Sequence, residues 1–371
     1  MGLVARNLWR RPRRTILTLV GLALGAASYM ALVGAAQGFL YQYTELARFF
    51  GADIVVNQAT ATSPWSSGLP RSQVAALAGV PGVKAVARLG LGKTQLFGSP
   101  YFLLFGVDPA EAIAQRLRVV KGRGLQPGAS EILLGELAAS RLALVPGAEI
   151  EIRHKHLRIA GIFHTGHPIT DAGAVLDLHS VQDLFNLGEN VNVVFLELND
   201  PAQRPRVLAA LSARFQDLAA SPWESWTLTF GQMGLVTAFA RLLALLALII
   251  AALGVSNVMH IAVSERTQEI AILRAIGWRR ARLAGLVVRE GATLSFLGGL
   301  CGVPLAAAVF WVLGSEHLVS VTTGGFIPLR LPLTAAAEGL GVTVLAGVLG
   351  TVQPLLRALS VQPTEALHAP G

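Results

Sequence analysis

The sequence predicts an α-helical membrane protein with four transmembrane helices and a large extracytoplasmic α/β domain between helices 1 and 2. Three observations predict it. Apolar stretches run roughly over 16–36, 242–263, 291–313 and 339–356, and a helical crossing needs about 20 such residues. A mostly polar block, 38–232, separates the first two, while the later gaps are short. Basic residues gather in the segments that a consistent topology places inside.

Charged residues make up only 14% of the chain and mean hydropathy is +0.56, against about 25% charge in soluble domains. Residues 1–15 carry Arg6, Arg10, Arg11, Arg13 and Arg14 and no acid. The segment 264–290 carries six arginines against Glu265, Glu269 and Glu290. Together with the balanced tail these segments account for the formal charge of +8. Nucleic acid calls for a basic patch on a folded surface. Here the charge flanks apolar runs, which is the pattern of residues retained on the cytoplasmic side. The rule puts the N-terminus, 264–290 and the C-terminus inside, and 38–232 and 314–332 outside. A cleaved signal peptide is the rival reading of the first stretch, but its apolar core exceeds the 7–15 residues of a signal. Cys301, the single cysteine, lies in the third span, so no intrachain disulfide forms.

Each span has its own marks. Gly21 and Gly25 make a small-xxx-small step in the first. Arg241 sits near the outer end of the second, where its stem snorkels to the interface, and Asn257 and His260 soften its inner end. Gly298, Gly299 and Pro304 predict a kink or a tight helix contact in the third, and Trp311 an interface anchor. Pro328 and Pro332 precede the fourth, with Glu338 at its outer edge and Gln353-Pro354 at its inner end. No span carries the ladder of acids or histidines that ion coupling needs.

In the external block, Phe39 to Phe50 reads as a helix leaving the membrane, and Asp53 to Asn57 as a strand. A helix follows over Pro70 to Ala78, and a strand through Leu91. A matching unit comes late: a strand over Val191 to Leu198, then Asp200-Pro201 opening a helix to about Leu218. Between them, 131–178 is rich in strand. Ala87 to Thr94 resembles a P-loop but lacks glycine at position 87 and runs into strand-like residues. His154, His156, His164 and His167 cluster, with His154 and His156 on one strand face, but at no spacing of a closed metal site. No nucleophile elbow or paired-carboxylate site is evident, so the chain reads as no enzyme.

From Ser264 a short amphipathic helix follows. Ile270, Leu273 and Ile276 recur at helical spacing, Glu265, Arg266, Glu269 and Arg274 supply polar positions, and Gly277 suits a C-cap. Arg279, Arg280 and Arg282 hold the next helix at the headgroups. A stiff helix between two crossings transmits force; a plain interfacial connector is the alternative.

Here the chain resembles the FtsX-like/MacB-like permease family of ABC transporters. The marks are Glu265-Arg266, Glu269-Ile270, Arg274-Ala275-Ile276-Gly277 and Glu290-Gly291. The basic opening over 7–15 and the ending Arg357-Ala358 with Pro363 to Leu367 add to them. The family's aromatic residue in the tail is replaced by Gln353-Pro354-Leu355. The resemblance implies three parts: 1–37 (basic head and helix 1), 38–232 (extracytoplasmic domain with a β-rich insertion) and 233–371 (helices 2–4, with a coupling helix over 264–278). It implies that Glu265, Arg266, Glu269, Ile270, Leu273, Arg274 and Gly277 form the segment that docks on a cytoplasmic ABC ATPase dimer. No cofactor is expected in this chain; ATP and Mg belong to the ATPase. Further implied partners are a second permease copy in a homodimer, a periplasmic adaptor and membrane lipids, with no nucleic acid. The setting is the bacterial inner membrane with both termini cytoplasmic. The implied function is ATP-driven, mechanotransmission-type movement of the outer domain for export or extraction of a hydrophobic or lipid-like substrate. The alternative is a signalling scaffold that regulates a cell-wall hydrolase.

Overall fold

The computed structural model describes residues 12–96, 99–315 and 331–360. The basic opening before Pro12, most of 314–332 and the Pro363–Leu367 ending lie outside the described residues. The chain forms two compact units, dividing after Gln37 and after Val236.

Helix α1 (Pro12–Phe49) is continuous for 38 residues, about 57 Å at 1.5 Å per residue. The larger, non-membrane unit follows. It comprises β1 (Ile54–Gln58), helix α2 (Arg71–Ala78), β2 (Val83–Leu96), β3 (Ser99–Val107), β4 (Arg118–Gly122), β5 (Glu131–Gly135), helix α3 (Glu136–Leu142), β6 (Glu149–Ile152), β7 (Lys155–His164), β8 (Ala174–Asp177), helix α4 (Leu178–Phe185), β9 (Val193–Leu198), helix α5 (Arg204–Arg214) and β10 (Leu218–Pro222). One mixed sheet runs in the order β10-β1-β9-β2-β3-β8-β5-β7-β4, with β6 on β7. The early and late strands β1, β2, β9 and β10 make one half of it. Strand β2 carries the sheet onward: Val83–Leu89 pairs with β9, and Gly90–Leu96 pairs with β3.

The core follows from strands buried on both faces, which read as continuous apolar runs. Ile54–Val56 and Val193–Leu196 are buried at every residue. An aromatic chain closes one side, with Phe50 stacked on Phe195 at 5.6 Å, Phe195 edge-on to Trp226 at 6.3 Å, and Trp226 edge-on to Phe230 at 5.7 Å. Leu46 and Ala47, in the last turns of α1, join the same cluster. Asn192 is the polar staple of this core. Its Oδ1 accepts from the Leu91 amide at 2.6 Å, and its Nδ2 donates to the Ser67 carbonyl at 2.9 Å and the Trp65 carbonyl at 3.3 Å. Arg88 joins β2 to the turn after β3, donating to Glu111 and Asp108 at 2.6 Å each. Burial depresses the Arg88 pKa, but the two carboxylates outweigh it and the net shift is upward. Burial also raises the Glu111 carboxyl, against the pull of Arg88.

Two expectations change here. The late helix stops at Arg214 rather than near Leu218, because Leu218–Pro222 pairs antiparallel with the edge of β1 as a tenth strand. His154 does not share a strand face with His156. Arg153 and His154 are the two-residue turn between β6 and β7, both with positive φ (48° and 68°), the arrangement of a type I′ hairpin. The P-loop-like Ala87–Thr94 lies wholly within β2, where its backbone pairs with neighbouring strands and forms no phosphate-binding loop.

The second unit contains the start of α1, most of helix α6 (Gly231–Glu265), helix α7 (Thr267–Ala275), helix α8 (Arg280–Ser315), helix α9 (Leu333–Gly350) and helix α10 (Val352–Ser360). Among the described residues, four helices are long and apolar enough to cross a membrane, so this is a multi-pass membrane protein with a large domain between the first and second crossings. The fourth crossing begins at Leu333 rather than 339. The apolar run continuing to 356 is broken at Thr351, whose hydroxyl donates to the Val348 carbonyl at 2.6 Å. Pro354 lacks the amide that would bond the Gly350 carbonyl, so one helical bond is missing where the two helical segments meet. The residues beyond form the separate amphipathic α10.

Between lipid-embedded helices, close packing replaces the hydrophobic drive. A Cβ on Gly25 would stand 2.8 Å from the Ala251 Cβ, and one on Gly302 would stand 2.7 Å from the Ala26 Cβ. Gly25 thus serves the α1–α6 contact, while Gly21 faces open space. A polar clasp joins α1 to α9: Tyr29 donates to Glu338 at 2.9 Å, Gln37 donates to it at 3.2 Å, and Thr334 donates to Gln37 at 3.1 Å.

Replacing Asn192 by Leu strips three backbone groups of their partner. The expected loss is about 3 kcal/mol, since each buried unsatisfied group costs about 1–3 kcal/mol. Thermal unfolding of the full chain in detergent should show a transition several degrees lower for N192L, and a smaller fall for Asn192→Asp, which keeps the acceptor.

Candidate functional site

The segment joining α6 to α8 is built as a rigid corner. Helix α6 ends at Glu265, and Arg266 leaves helical geometry (φ −110°, ψ 18°). Thr267 bonds back to the Ser264 carbonyl at 2.7 Å. Glu269 lies in the first turn of α7 and Arg274 in the last, each opposing the local end of the helix dipole. The stop is a Schellman motif: the Trp278 amide donates to the Leu273 carbonyl at 3.1 Å, and the Gly277 amide to the Arg274 carbonyl at 3.0 Å. Gly277 has φ +93°, a left-handed conformation that costs other residues about 1–2 kcal/mol.

The inward face of α7 is apolar and braced. Ile270 is 7% exposed and Ala271 0%. Ile270 packs in a cluster with Met259 and Val263 of α6, Leu283 and Val287 of α8, and Ala358 of α10. Leu273 and Trp278 line a cavity of about 150 Å³ between these elements. Two of the predicted docking cations also turn inward. Arg266 forms an ion pair at 3.5 Å with Glu290, a buried carboxylate on α8. Arg274 donates to the Leu359 carbonyl on α10 at 3.3 Å.

The outward face is a single strip. Glu265, Gln268, Glu269, Ile272, Ala275 and Ile276 are all exposed, at the i, i+3, i+4, i+7 recurrence of one helix side. Its first end is acidic and its second aliphatic, with Ile272 47% and Ile276 73% exposed. The structure thus brings Glu265, Glu269 and Ile276 together on one surface. It places Arg266, Ile270, Leu273 and Arg274 behind it, and Gly277 in the turn. Grouping Ile276 with Ile270 and Leu273 concealed Ile272. The signal for it was the spacing from Gln268 and Glu265, which puts Ile272 in the acidic row.

Among the described residues no group of three or more histidine, cysteine, aspartate or glutamate side chains could hold a metal ion.

Comparison with known proteins decides the family. Residues 15–214 match the MacB-like periplasmic core domain, and residues 241–363 match the FtsX-like permease C-terminal domain. The chain belongs to the MacB-like/FtsX-like family of ABC transporter permeases. An uncharacterized ABC transporter permease of Mycobacterium tuberculosis strain H37Rv is 25% identical over 98% of both chains. The macrolide export ATP-binding/permease protein MacB of Nitrobacter winogradskyi is 24% identical over 96% of this chain and 58% of its own length. The lipoprotein-releasing system transmembrane protein LolC of Neisseria meningitidis is 25% identical over 67% of each. In this ABC transporter permease the corner between the second and third crossings has a braced interior and an amphiphilic outer strip.

Arg266→Ala should cost the permease about 2 kcal/mol, because it withdraws the guanidinium from a buried carboxylate. Arg266→Ala combined with Glu290→Gln should recover part of that loss. A double-mutant cycle on the thermal unfolding of the full chain measures the coupling.

Proposed function

We propose that this permease is the driven half of a mechanical ABC machine, with the strip Glu265, Gln268, Glu269, Ile272 and Ile276 docking in a groove of a cytoplasmic ATPase. Arg266, Ile270, Leu273, Arg274 and Gly277 act behind that strip, keeping it rigid against α6, α8 and α10. The observation that carries this reading is the division of α7 into a braced face and an exposed amphiphilic one. A helix fixed on one side passes displacement to the crossings it is fixed to; a flexible loop would dissipate it.

In this reading the parts are 1–37, 38–232 and 233–371, and both termini lie on the cytoplasmic side of a bacterial inner membrane. Two copies pair with two ATPase subunits, and the energy source is the partner's ATP and Mg. The macrolide exporter is named as an ATP-binding/permease protein, and this chain spans 58% of it. A separate ATP-binding subunit therefore fits. ATP-driven closure of the ATPases moves the paired corners, and α1 and α6 carry the motion to the extracytoplasmic domain.

A hydrophobic or lipid-like substrate is the cargo we favour. The large domain holds an open cleft of about 760 Å³ whose wall includes Val120, Leu137, Leu144, Val145 and Ile162, and Val120, Leu137 and Val145 are exposed there. The same wall carries Lys121, Glu136, His164 and Asp171, so the cleft sets an apolar patch beside charged groups, as an amphiphile requires. The names of the relatives that export macrolides or release lipoproteins point the same way. A periplasmic adaptor is a further component to seek.

Glu269→Arg reverses a charge on the strip, and Ile276→Asp removes its most exposed aliphatic contact. Each should reduce co-purification of the ATPase about tenfold, the effect of about 1.4 kcal/mol, and should lower lipid-reconstituted ATP hydrolysis. Membrane insertion should not change, and each variant should still show a cooperative melting transition. ATPase recovery equal to that of the unmodified chain for both variants would remove the docking assignment.

A further inference from the structure

Four arginines follow the corner in quick succession, Arg279, Arg280, Arg282 and Arg289, and all are exposed. Among the described residues none of them has a carboxylate within 4 Å. The acid nearest in sequence, Glu290, is buried and engaged by Arg266 at 3.5 Å. The segment is therefore strongly cationic where α8 enters its apolar run.

Arg282 and Arg289 lie seven residues apart, two helical turns, so they share one side of α8 about 10 Å apart along its axis. The same side continues to Phe296 and Leu300, both exposed large apolar residues within the span. The two guanidinium groups therefore stand in line with the surface that meets acyl chains, at its boundary and just beyond it. Between them, near the same side, is Gly285. A Cβ there would meet nothing within 4 Å, so the glycine leaves a notch. The Arg282 guanidinium sits 5.5 Å above the ring of Trp278, a residue type that favours the headgroup layer. That contact restricts an otherwise mobile side chain.

We propose that Arg282 and Arg289, with the notch at Gly285, form a binding site for an anionic phospholipid. Its phosphate lies between the two guanidinium groups and an acyl chain runs along Phe296 and Leu300. Guanidinium presents paired donors that match phosphate oxygens. Each basic group near an anionic membrane surface contributes about 1 kcal/mol. Arg279 and Arg280 add to the positive field and disfavour a headgroup that carries its own cation. The occupant is thus a net-negative lipid of the surrounding bilayer rather than a zwitterionic one. The site differs in residues and ligand from the ATPase-docking strip, so either assignment can fail alone.

The test is native mass spectrometry of the full chain, purified and offered cardiolipin, phosphatidylglycerol or phosphatidylcholine separately, with inorganic phosphate as a free-anion competitor. The unmodified chain should retain an anionic lipid at least fivefold more than phosphatidylcholine, and millimolar phosphate should not displace it. Arg282→Gln with Arg289→Gln should reduce retention at least fivefold, whereas Arg206→Gln, on the non-membrane domain, should leave it unchanged. Gly285→Leu, which fills the notch and keeps every charge, should also weaken retention and guards against misfolding of the double variant. Equal retention of phosphatidylcholine, displacement by inorganic phosphate, or full retention in both the double variant and Gly285→Leu would overturn the site.

Discussion

The ion pair between Arg266 and Glu290 is the constraint on which the corner depends. Glu290 is a carboxylate buried at the entrance of the third crossing, where a lone charge is costly. Arg266 sits at the one non-helical residue between α6 and α7. Their approach at 3.5 Å fixes the angle at which α7 leaves α6 and ties it to α8 in the same step. With that angle set, Ile270 and Ala271 enter the apolar cluster, the Leu359 carbonyl comes within reach of Arg274, and the opposite side of α7 is left to the outside. The exposed side of α7 is the remainder of an internal packing problem.

The crossings were legible because lipid allows one solution, long apolar helices with their backbone satisfied internally. The strip was less legible. A polar residue at helical spacing reads as exposed, yet Arg266 and Arg274 are long enough to reach a carboxylate on α8 and a carbonyl on α10, elements that sequence spacing does not bring near. Ile276 reads as buried because it follows Ile270 and Leu273, but the chain turns at Gly277 before a neighbour can cover it. Similar limits apply elsewhere. The strand Leu218–Pro222 exists because β1 offers it an edge, and 218–222 alone carries no strong alternation. His154 leaves the strand because Arg153 and His154 take left-handed turn geometry. The break at Thr351 was half visible in Gln353-Pro354, which marks where the amide ladder fails, though it also separates α9 from α10.

The membrane unit uses polar groups sparingly and pairs them across helices. Tyr29 and Gln37 of α1 both donate to Glu338 of α9, so a carboxylate in the second turn of a crossing is satisfied by neutral donors. Arg357 of α10 meets His260 of α6 at 2.6 Å, and Ser256 meets Gln353 at 3.4 Å. These contacts sit at opposite ends of the crossings, while small residues such as Gly25 and Gly302 carry the packing between them. Polar contacts at the ends and close contacts in the middle make a bundle that is specified without a hydrophobic drive between helices.

The arginines of 264–290 enter a topology argument as one sum, yet physically they fall into two classes. Arg266 and Arg274 have partners within the protein and hold α7 to its neighbours. Arg279, Arg280, Arg282 and Arg289 lie past the turn, on or next to a helix whose exposed side continues into the apolar span. Charge that keeps a loop on one side of the membrane during insertion needs only a count. Charge placed in register with Phe296 and Leu300, two turns apart and flanking a glycine, has a geometry that a count does not require. The two classes also meet mechanically, because Trp278 is both the last residue of the α7 stop and the ring beneath Arg282. In the proposed mechanism, displacement of α7 would therefore reach the arginines of α8 through one side chain.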